Sequence, residues 1–453
     1  MNGLISTRGA LQQLGLTVKG RRSTLAHYAR FQETENWPYE RLLDLQELQL
    51  REFIRVVSEQ SAYYANLLNE QGLKARDIRT IRDLEKLPIL TKQIIREKRT
   101  KIVPKNLKAQ RYRGASTGGS TGEPLKYLMS HDDHCRGVAL LYRGWGYAGY
   151  RLGDRVGILA GGSLNPSTRS TLRKRLQSFI LNMRFYSSYG MDNETIHRYL
   201  DALNRTKPRF LRGYASSIHH LGRFIQSSGK KLSFRPVAIF TTSETLLRGQ
   251  REAIEAVFEA PVFDTYGLND GGISAYECPE HTGMHVDMER AILEVVDDEG
   301  RQIIGKPGRI LATSLYNYAF PFIRYDTGDI GTISASQCRC GRQTPLLVNV
   351  LGRITETLEI NGRVIGSPVL TVLFGKCDIE QYQIVQESES CITCRIVKGE
   401  DYSEADERLI RESLLAHIGE AEIAFDYVES ITPIDGRKHR FVVNKTPGER
   451  EPR

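Results

Sequence analysis

With 453 residues, 40% of them hydrophobic and 26% charged, the chain has the balance of a soluble globular protein and is too long for one small core, so two or three domains are expected. No apolar run approaches a membrane span, and the opening MNGLISTRGALQQLGLTVKGRR lacks the long apolar stretch and small-residue cleavage site of a secretory signal. The net charge of +9 is uneven: residues 1–113 hold 22 Lys/Arg against 12 Asp/Glu, and the remainder sums to −1. Such an excess would suit a polyanionic partner. No basic motif interleaved with aromatics accompanies it, so the charges read as solvated helix surface and nucleic-acid binding is not expected. Seven cysteines, an odd number in a large chain, do not make a disulfide framework; a cytoplasmic protein with reduced thiols is the expectation.

In chain order, residues 1–110 read as mostly helical. RLLDLQELQLREFIRVVSEQSAYY is amphipathic at helical spacing, and LPILTK (Leu87 to Lys92) interrupts the pattern. Next comes STGGSTGEPLKY (Ser116 to Tyr127), with three glycines and four hydroxyl residues in its first seven positions. Short β-like runs then alternate with helical stretches: DRVGILAGG, RFLRGYASSIHHLGRFIQ, PVAIFTTSETL and RGQREAIEAVF. This alternation predicts an α/β fold with a largely parallel sheet. From about Met288 the texture becomes β-rich, in RAILEVVDD, GRILATSL, FIRYDTGDIGTI and LGRITETLEINGRVI. The last hundred residues restart as a small α+β domain with a helix over SEADERLIRESLLAHIG. The expected division is a large N-terminal domain over residues 1–351, its first 110 helical and basic, and a small one over 352–453.

The glycine-rich loop has two readings. Glycines let successive N–H groups converge on an anion, which makes a phosphate cradle. The loop lacks the Gly-Lys-Ser/Thr ending of a P-loop, however, and Glu123 stands where a cation would help, so an ordinary Gly/Ser turn competes. RGYASS (Arg212 to Ser217) and TTSETL (Thr241 to Leu246) each end a strand-like run and begin a helical one, where ligands bind in open α/β sheets. Helix capping explains their hydroxyls equally well. ECPEHTGMH and QCRCGR supply Cys278, His281 or His285, Cys338 and Cys340, one imidazole and three thiolates, a closed set for structural Zn²⁺. Cys391 and Cys394 lie in a strand-like run, where positions three apart face opposite sides, so a core role is expected.

Four motifs in order, STGGSTGEP, YGLNDGG (Tyr266 to Gly272), RYDTGDIG (Arg324 to Gly331) and LGRITETLEINGRVI (Leu351 to Ile365), followed by GRKHRFVV (Gly436 to Val443), resemble the adenylate-forming enzymes. The resemblance is to the phenylacetate–CoA ligase-like branch with its CapK-type members of polysaccharide biosynthesis, and it spans roughly residues 85 to 445. It implies that ATP and an acid give acyl-AMP and pyrophosphate, with Mg²⁺, and that the acyl group then passes to coenzyme A. Acyl transfer to an amine, adenylyl transfer to a hydroxyl and a non-catalytic nucleotide-binding module are the rivals. A homodimer is the prior expectation for the assembly.

The same resemblance assigns roles. Ser116, Thr117, Gly118, Gly119, Ser120, Thr121 and Gly122 hold the outer phosphates. Tyr266 and Gly267 lie along the base, Asp270 contacts Mg²⁺, and Asp329 accepts from the ribose hydroxyls. Arg353 contacts the nucleotide from the hinge, where Thr355 replaces the commoner aspartate. Lys438 is the mobile-domain lysine that bridges α-phosphate and acyl oxygen. Tyr214, Ala215 and Ser216 line the acyl pocket, Ser243 and Glu244 flank the nucleotide, and His285 is favoured over His281 as the fourth metal ligand.

Overall fold

The computed structural model describes residues 22–116, 125–160, 179–187, 193–353, 357–360, 363–366, 370, 373–374, 376–431 and 440–445. The chain forms two compact units, Met1–Gly153 with Thr265–Val350 and Asp154–Asp264 with Leu351–Arg453, so it crosses between them three times.

The first unit opens with helices α1 (Arg22–Thr34), α2 (Tyr39–Gln60), α3 (Ala62–Glu70) and α4 (Lys92–Ile102). Helix α2 buries Leu42, Gln46, Leu50, Phe53, Ile54 and Val57, a stripe at steps of three and four that faces the core. Thr91 caps α4 by accepting from the Ile94 N–H. A hairpin follows, β1 (Tyr112–Ser116) against β2 (Lys126–Ser130), and leads into α5 (His131–Gly146).

The chain then enters the second unit with β3 (Val156–Ala160), β4 (Met183–Ser187), α6 (Asn193–Thr206), β5 (Phe210–Gly213), α7 (Ala215–Ser228), β6 (Ala238–Thr242) and α8 (Arg248–Phe258). These strands run parallel in the order β6-β5-β3-β4, with Val156 opposite both Met183 and Phe210. Leu159, Leu211, Ile239 and Ile254 form the core beneath the helices.

Strand β7 (Val262–Gly267) carries the chain back to the first unit, which continues as β8 (Ser274–Glu277), β9 (Met284–Val286), β10 (Ala291–Val296), β11 (Gly308–Ser314), β12 (Tyr325–Ile333) and β13 (Leu346–Arg353). Their order is β10-β11-β12-β13-β9-β8-β7. Phe53, Tyr127, Ile292, Phe322 and Tyr325 meet in one core, so the N-terminal helices, the hairpin and the β-rich lobe fold together. The LPILTK segment is fastened to β12: Leu90 N–H donates to Arg324 O and Asp326 N–H to Leu90 O, both at 3.0 Å.

The second unit finishes with the hairpin β14 (Thr357–Ile360) and β15 (Arg363–Gly366), then β16 (Ile379–Gln386), β17 (Cys391–Lys398), α9 (Glu404–Ile418), β18 (Glu422–Tyr427) and β19 (Val442–Asn444). The last four strands form a sheet in the order β18-β17-β16-β19. Its core includes Ile384, Cys394, Ile396 and Leu414, with Tyr382 stacked on Phe374 at 4.1 Å. Alternation along β17 buries Cys394 and leaves Cys391 partly exposed, as expected for residues three apart in a strand. The architecture is the expected mixed α/β, with a parallel sheet, a β-rich lobe and a small C-terminal α+β segment. Among the described residues no helix is long and apolar enough to cross a membrane.

Candidate active site and metal centre

In the first unit the motif acids come from segments far apart in sequence, Asp329 on β12 and Asp270 in the connection between β7 and β8. Asp329 is 6% exposed; the Tyr266 hydroxyl, from β7, donates to its Oδ2 at 2.9 Å. Burial, with Asp329 next in effect, holds the Tyr266 phenol well above its ordinary pKa, so it stays a neutral donor. The turn before Asp329 orders itself. Thr327 Oγ1 donates to Ile310 O at 2.8 Å and accepts from Asp329 N–H, while Asp326 Oδ1 accepts from Gly328 N–H. Gly328 has φ +80°, a conformation that suits glycine. Asp270 is also buried and accepts the Tyr325 hydroxyl at 3.0 Å. A cation bound here would meet an already oriented carboxylate.

Lys92 was not singled out by its sequence. Its Nζ lies 3.4 Å from Thr327 O, an ammonium beside the turn that leads into Asp329. LPILTK read only as a break between helices, and nothing local announces a partner 235 residues away.

In the second unit, β5 and β6 end at the carboxyl edge of the parallel sheet, and Tyr214-Ala215-Ser216 and Ser243-Glu244 follow them directly. Tyr214, Ala215 and Ser216 are buried. Glu244 accepts from both Ser216 N–H (2.9 Å) and Ser216 Oγ (3.0 Å), so one carboxylate caps the start of α7 and ties the two loops together. Ser243 has φ +68°, strained for a residue with a Cβ. Ser116 is exposed at the end of β1 and Gly267 is exposed at the end of β7. Thr117, Gly118, Gly119, Ser120, Thr121, Gly122, Thr355 and Lys438 lie outside the described residues. Arg353 ends β13, with its side chain undescribed.

The four expected metal ligands lie in the first unit and meet in space. Cys278, His285, Cys338 and Cys340 offer donor atoms all within 4.8 Å of one another. Cys278 and Cys338 sulfurs are 3.6 Å apart, too far for a disulfide but close to the ~3.8 Å edge of a tetrahedron with Zn–S bonds of about 2.3 Å. Cys340 Sγ is 3.2 Å from His285 Nε2, and Thr344 Oγ1 holds the other ring nitrogen at 3.1 Å. An anchored Nδ1 leaves Nε2 to face the thiols, the usual arrangement of a ligating histidine. Burial, then Arg342 and Arg143, push His285 down to about 4, so the ring is neutral. His281 instead lies 3.3 Å from Glu277 Oε2. The donor set fits Zn²⁺, and four protein ligands leave no position for substrate.

A cavity of about 640 Å³ in the first unit is lined by Glu52, Gln60, Arg111, His131, Tyr316 and Tyr318 among others. It opens beside Ser130 and Arg111, at the far end of the β1–β2 hairpin from the glycine-rich loop, and none of the motif residues lines it.

Comparison with known proteins agrees with the motifs. The model of the CapK C-terminal domain matches residues 358–445. The chain is 26% identical to Protein CapK of Staphylococcus aureus, covering 96% of both chains. It is 25% identical to the phenylacetate-coenzyme A ligase of Thermus thermophilus, covering 88% of each. Its fold is similar to that of 2-hydroxyisobutyryl-CoA ligase in the postadenylation state, with a TM-score of 0.71 over 91% of each chain at 19% identity. Motif order, buried acids and similarity over most of the chain agree: the chain is similar to CapK and to the phenylacetate-coenzyme A ligases, with a CapK C-terminal domain at residues 358–445.

Proposed function

We propose that this chain is an ATP-dependent acid ligase that works through an acyl-adenylate. The observation that carries the reading is the Asp329–Tyr266 pair, a buried carboxylate oriented by a neutral phenol on the motif where a ribose diol is to be held. The carboxylate of the acid attacks the α-phosphorus of ATP. The bond from that phosphorus to its bridging oxygen breaks, and the electron pair leaves with pyrophosphate. Such chemistry needs positioning and charge neutralisation more than covalent help.

Ser116 to Gly122 would hold the outer phosphates, Ser243 and Glu244 flank the nucleotide, and Tyr214 to Ser216 shape the acyl pocket. Asp270 would hold Mg²⁺, which supplies charge neutralisation on the phosphates. Lys438 would supply the positive charge between α-phosphate and acyl oxygen, on a C-terminal domain over residues 352–453 that moves about Arg353–Thr355 between half-reactions. Zn²⁺ on Cys278, His285, Cys338 and Cys340 would staple the β-rich lobe. In the second half-reaction the thiol of coenzyme A attacks the acyl carbon. The C–O bond to AMP breaks, a C–S bond forms, and the thiol proton passes to solvent. Similarity to a phenylacetate-coenzyme A ligase over 88% of the chain supports this acceptor.

The test is acid-dependent exchange of pyrophosphate into ATP with Mg²⁺, across aryl, fatty, amino and sugar acids. Exchange with one acid is the expected result and names the donor; adding coenzyme A or an amine then identifies the acceptor. ATP binding without exchange for any acid would overturn acyl-adenylate formation in favour of adenylyl transfer or a binding role.

A further inference from the structure

The cavity at the end of the β1–β2 hairpin is lined by none of the motif residues, yet its walls are firmly pinned. Tyr316 and Tyr318 line it from the connection between β11 and β12. Ser130 fixes this connection twice, its N–H donating to Asn317 Oδ1 and its Oγ to Tyr316 O, both at 2.9 Å. Asn317 Nδ2 donates in turn to Leu128 O at 3.0 Å. The Arg136 guanidinium stacks on the Tyr316 ring at 3.5 Å, and Asp132 Oδ2 accepts its Nε–H at 2.8 Å. Tyr318 leans on Phe53, ring to ring at 5.1 Å. Arg111, at the entry to β1, is held through its backbone, where its carbonyl accepts the His131 N–H at 2.8 Å.

The charges in these walls are unequally matched. Glu52 engages Arg55 with both carboxylate oxygens, and Asp132 meets Arg136 with one oxygen and His27 Nε2 with the other. By contrast, the Arg111 guanidinium, the Gln60 amide and the hydroxyls of Tyr316 and Tyr318 meet no hydrogen-bonding or ionic partner among the described residues. Burial holds the Tyr316 phenol above its ordinary pKa and, with Glu52 next in effect, pushes Tyr318 up to about 12, so both are O–H donors at neutral pH. The acids are thus neutralised from within, while one cation and several neutral polar groups remain available. An unmatched guanidinium calls for an anion, which it grips through two parallel N–H bonds. An amide and two phenols call for hydroxyl groups. The volume of about 640 Å³ is that of a small-molecule pocket.

We propose that this cavity is a second small-molecule site, apart from the nucleotide and acyl motifs, for a hydroxylated ring that bears a carboxylate or a phosphate. Arg111 meets the anion, and Gln60, Tyr316 and Tyr318 meet the hydroxyls. The site stands independently of the ligase reading.

The experiment is calorimetric titration of the full-length protein with glucuronate, glucose 6-phosphate, glucose and acetate. AMP is present to fill the nucleotide site and Mg²⁺ is absent, so no turnover accompanies binding. Titrations are repeated on Arg111→Ala and Tyr318→Phe, with thermal melting of each. Arg111 is exposed and its side chain supports no neighbour, so its variant folds. The expected result is that at least one anionic sugar binds about 10-fold or more tightly than glucose or acetate, and comparison of the two names the anion. Arg111→Ala should weaken that binding at least about 10-fold and Tyr318→Phe about threefold, with AMP affinity and Tm unchanged. No binding of either anionic sugar overturns the proposal. So does affinity no better than that of glucose, or binding that Arg111→Ala leaves unchanged, which belongs to another site. Each of these results leaves the ligase reading standing, because pyrophosphate exchange tests that reading separately.

Discussion

The Tyr266 hydroxyl donates to Asp329 Oδ2 at 2.9 Å, joining two motifs 63 residues apart in one partly buried contact. The phenol orients the carboxylate and, being buried beside it, stays protonated. Tyr266→Phe keeps the ring and removes the donor. ATP and AMP affinity should then fall about 10-fold, or about 1.4 kcal/mol, in calorimetric titration, with Tm little changed. Asp329→Ala should lose more, because it removes the carboxylate proposed to accept from both ribose hydroxyls.

Lys92 supplies a positive charge beside the turn into Asp329. Lys92→Met retains most of the apolar stem and removes the charge. AMP binding should weaken roughly 10-fold while adenosine binding changes less than about twofold, since only the former carries a phosphate for the ammonium to meet. Equal weakening of both would show that the lysine acts on the turn alone.

Four converging donors in the β-rich lobe predict about one zinc per chain by elemental analysis. Removal by chelation, or Cys338→Ser, should lower Tm by at least about 5 °C, because a metal on these donors would tie Cys278, just past β8, and His285 on β9 to the Gln337–Arg342 turn. His285→Ala should abolish binding. His281→Ala, at a residue that faces Glu277, should keep the full complement of zinc.

Burial pushes Glu294 up to about 7, although Arg324 Nε stands 3.2 Å away and opposes the shift. Its folded pKa therefore exceeds the ordinary carboxylate value, and the native state holds a proton that the unfolded chain has released. Stability from this group is complete below about pH 4.5 and is lost as pH rises through about 7, by up to ~3 kcal/mol. Glu294→Gln does not titrate. Tm of the variant minus Tm of the wild type should therefore become more positive from pH 5 to pH 8, whatever offset the amide beside Arg324 introduces.

The motif residues were legible because each motif is short and chemically loaded. The hydroxyls and glycines after β1, the TGD turn and the paired cysteines announce themselves within a few residues. The helices and strands were equally legible: α2 shows its stripe at steps of three and four, and the strand–helix alternation through β5, α7, β6 and α8 reads directly. Partners were not. Glu244, which the resemblance sets beside a nucleotide, also caps α7 through Ser216, a partner 28 residues away that nothing local announces. Nothing near His219 in the sequence announces its partner Glu380, 161 residues on.

From sequence alone came the α/β class, the order of the motifs and a set of thiol and imidazole donors, since periodicity and motif chemistry act over distances shorter than one element. The resemblance favours His285 over His281, and the physical reason for it lies in the tertiary structure. Pairing of β9 with β13 sets His285 opposite Leu346, while a turn with φ +49° directs His281 elsewhere. The same holds for Lys92 at Thr327 and His219 at Glu380. Such contacts depend on how sheets and helices pack after collapse, a property of the whole core that no local window of sequence contains.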